Sequence, residues 1–221
     1  MKPAWLIFQK DLLLELRSRE ILTSMFVFGL LILVLFNFAF EPTSEERLHI
    51  IPGILWICYT FGGILGLNRT LSLERENAGL ESLSLAPINP SAIFLGKWLT
   101  NFIFMTLIQI IILPFLGLFF NISLLPSLAS LLLVNLLGTA GFAATGTLFS
   151  ALALNTRMRD VLLPILLFPI SIPMLIGCVE CTTLILENHF HLNSTWFKLI
   201  VVYDIIFMTT GTLLFEYVLE E

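Results

Sequence analysis

Between Ile21 and Phe40 the chain runs without a single charged side chain. A helix of about 20 apolar residues spans roughly 30 Å of hydrocarbon. In lipid no water reaches a free N–H or C=O, so a run like this folds as helix. Five more apolar runs follow, at Ile50–Leu67, Trp98–Phe120, Leu124–Leu154, Val161–Val179 and Phe197–Leu219. Only the last of these carries charge. The sequence reads as an all-α integral membrane protein, one transmembrane domain over residues 1–221 with six transmembrane helices.

Composition agrees. Charged residues make up 12% of the chain, against about 25% in a soluble domain, and the mean hydropathy is +0.97. A net charge of −5 leaves no basic face for phosphates, which argues against a nucleic-acid partner. Cys58, Cys178 and Cys181 are too few for a disulfide framework. Residues 1–20 mix Lys2, Lys10, Asp11, Glu15, Arg17, Arg19 and Glu20 with apolar residues, so they lack the apolar core of a cleavable signal.

Orientation follows from the basic residues. Lys2, Lys10, Arg17, Arg19, Arg69, Arg75, Lys97, Arg157 and Arg159 fall on one side of the six spans, and only Arg47 and Lys198 on the other. Both termini and the segment Leu73–Lys97 are predicted cytoplasmic. Before the first span, Trp5, Phe8, Leu12 and Leu16 share a helical face, with Lys10 and Arg17 roughly opposite. That pattern predicts an N-terminal interfacial helix with Trp5 at headgroup level, although Ile7 and Leu14 interrupt its polar face.

Small residues let membrane helices approach closely. Gly62 and Gly66 form a GxxxG, and GTAGFAATGT from Gly138 through Gly141 to Thr147 is small all round. Both predict helix-packing surfaces, within the chain or between subunits. Pro164, Pro169 and Pro173 each remove a backbone donor, which predicts a bent or interrupted fifth span. Asp204 is a carboxylate inside the sixth span. Lys198, six positions away, points to another helix face, so Asp204 needs a partner from another helix, a subunit or water. It reads either as a functional carboxylate or as an interfacial packing residue.

Enzyme chemistry has no foothold. The Gly-Lys pair Gly96-Lys97 is followed by Trp98 and preceded five residues earlier by Ser91, not glycine, so it is not a phosphate-binding P-loop. His49, His189 and His191 all fall on the outward side. His189 and His191 are weak candidates for haem or metal ligation. Cys178-Val-Glu-Cys181 could pair or bind metal if helical, but it equally reads as two small apolar residues at a helix end.

A charged segment remains to be explained. Glu74, Arg75, Glu76 and Glu81 sit between the second and third spans, with Leu73, Leu80 and Leu83 along one side of a short helix that Pro87 and Pro90 end. In multi-subunit transporters driven by ATP hydrolysis, the motor sits outside the membrane and must grip the membrane subunit. The segment therefore predicts a cytoplasmic coupling helix that docks an ATPase through Glu74, Arg75, Glu76, Glu81 and Leu83. The bland alternative is a solvated loop.

The runs ELRSREILTSMFVFGLLILVLFNFAFEP, GILW, GLNRTLSLERENAGLESLSLAP and SAIFLGKW resemble the CcmB family, haem exporter protein B. That is the membrane subunit of the cytochrome c maturation ABC complex, and the resemblance covers essentially the whole chain. It implies an ABC-2-type permease-like subunit in the bacterial inner membrane. The implied partners are an ABC ATPase subunit that binds ATP, a haem-handling WWD-type membrane subunit, a small membrane subunit and a periplasmic haem chaperone. Haem is then handled by the complex, with no cofactor bound directly by this chain. The outcome is haem export or release of the haem-loaded chaperone. A permease for another cargo fits the spans and docking segment equally well, and a non-transporting membrane scaffold is a rival of another class.

Overall fold

The computed structural model describes residues 2–39, 44–76, 88–153, 156 and 159–220. Among them are seven α-helices: α1 (Lys2–Ser18), α2 (Glu20–Ala39), α3 (Ser44–Glu76), α4 (Pro90–Phe119), α5 (Leu128–Ala153), α6 (Arg159–Leu186) and α7 (Thr195–Glu220). A 3₁₀ turn, Leu125–Ser127, leads into α5. The helices α2 to α7 supply six segments long and apolar enough to cross a membrane.

Helix ends follow local chemistry. Arg19, between α1 and α2, has φ 57°, a left-handed conformation that breaks the helix in one residue. Asn121 and Asn188 adopt the same region just past α4 and α6, where asparagine is second only to glycine. The amides of Ile122 and His189 then close back on the carbonyls of Gly117 and Leu184, at 3.0 and 2.8 Å.

Helices α3, α4, α6 and α7 run longer than their apolar stretches. Pro90, expected to end a helix, begins one: Asn89 caps α4 by accepting from the Ser91 amide at 3.0 Å. Proline suits the first helical position because its missing N–H would be unsatisfied there anyway. Likewise α3 continues past the second span, so Glu74, Arg75 and Glu76 extend that span's helix rather than opening a separate one. Residues 77–87, with Glu81 and Leu83, lie outside the described residues.

The expectation of an interrupted fifth span is corrected in part. Pro164, Pro169 and Pro173 all lie inside the continuous helix α6. Neighbouring helices can compensate freed carbonyls in membrane helices. Because α6 reaches Leu186, Cys178 and Cys181 lie within the helix and not at its end. Both thiols are free and buried.

Helix α3 carries the core. Its span is the most enclosed of the six, whereas α2 turns Val27, Leu31, Leu35 and Phe38 outward. Helix α5 packs on α4, α6 and α7, and α1 packs mainly on α4. That contact resets the face of α1. Ile7, Phe8 and Glu15 are buried, while Trp5 and Leu16 are exposed together with Leu6 and Leu13. Of the expected stripe, Trp5 and Leu16 point outward because the helix binds α4 through the neighbouring face.

Candidate functional site

The end of the bundle holding the N-terminus and the α3–α4 connection is built on buried charge. Lys97 is 5% exposed, and its Nζ lies 2.7 Å from Asp11 Oδ2 of α1. A buried charge is tolerated when paired and becomes costly when its partner is lost. Gly96 sets the distance, because a Cβ there would sit 2.9 Å from both Ala4 O and Ile7 Cβ. Adjacent residues thus do two jobs: glycine admits α1, and lysine clamps it.

Glu15, 2% exposed, carries the connection onward. Its Oε1 accepts from the Leu22 amide at 2.8 Å, one of the first-turn donors of α2 that no helical carbonyl can reach. Arg69 of α3 pairs with Glu20 of α2. Side-chain polar contacts therefore join α1 to α4, α1 to α2, and α2 to α3. Arg69 lies seven residues before the end of α3 at Glu76, and Lys97 seven residues after the start of α4 at Pro90. The backbone of Glu74, Arg75 and Glu76 continues α3 directly.

Sequence reading assigned Lys97 to a loop and missed its pairing. A usable signal was present. Asp11 and Glu15 fall on the same helical stripe as Ile7 and Phe8, so an acidic pair shares the apolar face of α1. Such a pair needs partners if that face is buried.

A second polar region lies within the bundle. The small residues of α5 admit bulky neighbours from three helices. A Cβ on Gly138 would lie 2.5 Å from Trp56 Cη2 and 2.6 Å from Cys178 Sγ, and one on Gly141 would collide with Asp204 Oδ1. A Cβ on Gly66 would lie 2.6 Å from Met25 Sδ, and one on Gly62 an ordinary 3.6 Å from Met25 O. All of these contacts are within the chain.

Polar side chains stitch the same helices together. Thr139 donates to Gln109 Oε1 at 2.7 Å, Asn101 Nδ2 to Thr147 Oγ1 at 2.9 Å, and Trp56 Nε1 to Thr182 Oγ1 at 3.0 Å. The hydroxyls of Thr145 and Tyr203 lie 2.8 Å apart. Asp204 differs from all of these: it is buried, and neither carboxylate oxygen has a hydrogen-bond partner among the described residues.

At the opposite end of the bundle, His49 Nδ1 lies 3.7 Å from Glu187 Oε1 and His189 Nδ1 4.0 Å from Glu187 Oε2. His191 is exposed. The two histidines singled out by sequence are thus both exposed, and His189 also lies near the Glu187 carboxylate.

Helices long enough for six crossings, joined by a buried polar clamp at the basic end, define a multi-pass helical membrane protein. The clamp ties α1 to α2 and α4, and a further ion pair ties α2 to α3. Comparison with known families then supplies the particular one. The CcmB protein family matches residues 2–219, and the chain belongs to it. A heme exporter protein B of Rhodobacter capsulatus is 29% identical over 174 residues, 79% of each chain. That of Haemophilus influenzae is 30% identical over 174 residues, 77% of this chain and 76% of its own. That of Escherichia coli K12 is 27% identical over 172 residues, 78% of each.

Proposed function

We propose that this chain is the permease subunit of an ABC-type complex for c-type cytochrome biogenesis. It couples ATP hydrolysis by a separate subunit to haem export or to release of a haem-loaded periplasmic chaperone. The basic end is cytoplasmic, both termini included, and the membrane is the bacterial inner membrane. Its partners are the ATPase, the WWD-type haem-handling subunit, a small membrane subunit and the chaperone. This subunit hydrolyses nothing itself.

One observation carries the mechanical reading. The charged segment starts on α3, of 33 residues, and leads to α4, of 30, the two longest of the described helices. A push on the segment is delivered straight into the second and third spans. Through Lys97–Asp11 and Glu15–Leu22 it also reaches α1 and the first span. In this reading Glu74, Arg75 and Glu76, with Glu81 and Leu83 beyond them, grip the motor, and the clamp spreads its motion.

Mechanical release is favoured over haem ligation by this subunit. Its outward histidines are poorly placed: His189 lies beside Glu187 and His191 is exposed. Replacing His49, His189 and His191 together should leave cytochrome c maturation intact, and loss of maturation would restore a ligand role. The docking reading has its own test, charge reversal in Glu74→Lys/Glu76→Lys. The variant should reach the membrane yet lose its ATPase on purification. Full co-purification with full maturation would refute docking through these residues.

A further inference from the structure

Asp204 lies nine residues into α7, which starts at Thr195. At 1.5 Å per residue this places it about 14 Å along the helix from its outward end. Its residue exposure is 9%. Neither oxygen finds a donor among the described residues. A carboxylate at membrane depth is costly and marks a functional site by default.

Among the described residues, the elements around Asp204 offer it no positive charge. Helix α5, which faces the carboxylate through Gly141, has no ionisable side chain between Leu128 and Ala153. On α6, the thiol of Cys178 faces Asp204, Glu180 is exposed, and Arg159 and Asp160 sit at the far end of the helix. On α7, Tyr203 adjoins it, and Lys198 and Glu216 are exposed. The Lys97 ammonium of α4 is held by Asp11 at the basic end.

What the elements do offer is oxygen. Ser171 of α6 is fully buried and its hydroxyl also lacks a partner. It lies beside Tyr203, whose hydroxyl meets Thr145 of α5 at 2.8 Å. Carboxylate and hydroxyl oxygens from three helices are hard ligands, suited to hard cations. Gly141 leaves room for the carboxylate itself, because a Cβ there would collide with Asp204 Oδ1.

We propose that Asp204, with Ser171, Tyr203 and Thr145, forms a membrane-embedded site for a small monovalent positive charge, a proton or an alkali ion taken from the aqueous phase. The occupant completes the contacts among α5, α6 and α7. The site stands apart from the ATPase reading above, and its test involves neither nucleotide nor cytochromes.

The test uses the purified full-length protein in lipid nanodiscs. Thermal unfolding is followed in NaCl, KCl and choline chloride at equal ionic strength, and then across pH in choline. A bound alkali ion should raise the midpoint by about 3–6 °C per tenfold concentration above its dissociation constant. Asp204→Asn should lose this shift, and Ser171→Ala should weaken it. A bound proton gives no cation dependence. The midpoint then falls as pH rises, and a hydrophobic carbodiimide labels Asp204 in the wild type, as peptide mass spectrometry reads directly. A wild-type protein indifferent to cation, sharing the pH profile of Asp204→Asn and unlabelled by carbodiimide, would overturn the proposal. An ordered water alone would give that result.

Discussion

Two acidic residues largely withdrawn from water, Asp11 with a side chain 10% exposed and the buried Asp204, meet the same problem with opposite solutions. Asp11 sits against Lys97 in a pair closed by its own chain. Asp204 sits against Gly141, with no hydrogen-bond partner for its carboxylate among the described residues. Both occupy places where an isolated charge is expensive. The closed pair fixes a helix in place, whereas the open carboxylate keeps capacity for something outside the chain. Their difference separates scaffold from site without reference to any known protein.

The sharpest way to break this comparison is to remove each partner in turn. Asp11→Ala removes the carboxylate held 2.7 Å from the buried Lys97 ammonium and should cost up to about 3–5 kcal/mol of stability, read by denaturant unfolding in detergent. Combining it with Lys97→Met should recover most of that loss, because apolar groups of similar volume often replace a buried pair without penalty. In choline medium, Asp204→Leu should do the reverse and leave stability unchanged or raised. A loss as large as that of Asp11→Ala would mean that Asp204 has a partner after all.

Smaller effects sharpen the packing side. Gly138→Ala forces a Cβ onto the Trp56 ring and Cys178 Sγ and should cost about 1–3 kcal/mol. Gly66→Ala meets only the flexible end of Met25 and should cost less. Gly62→Ala, with its nearest contact at 3.6 Å, should be close to neutral. Thermal midpoints of the three variants should follow that order. At the start of α4, Asn89→Ala removes the cap on the Ser91 amide and should cost about 1 kcal/mol. Its effect should add to that of Gly138→Ala, since the two share no partner.

The six spans were legible because a charge-free run of this length has one stable state in lipid. Their ends were less legible, for reasons that can be named. Pro90 reads as a stop when only helix interiors are considered, yet it starts α4 because Asn89 precedes it. The three prolines of α6 read as breaks, yet the helix continues, supported by α3, α5 and α7. Asp204 stood out in sequence as a carboxylate within an apolar run. Lys97 did not, because a lysine beside a charged loop looks solvated and its partner lies 86 positions earlier. Pairs that distant are set by tertiary packing, which periodicity in one helix cannot reveal. The coupling residues Glu74, Arg75 and Glu76 show the same limit: the helix that carries them is visible, but the motor they would grip is another molecule.

The most direct test of the account is a haem stain of covalently bound c-type cytochromes in membranes of a strain lacking this chain. The account predicts loss of every stained band and its return with the wild-type gene. Unchanged bands, in a strain with no second maturation pathway, would contradict it.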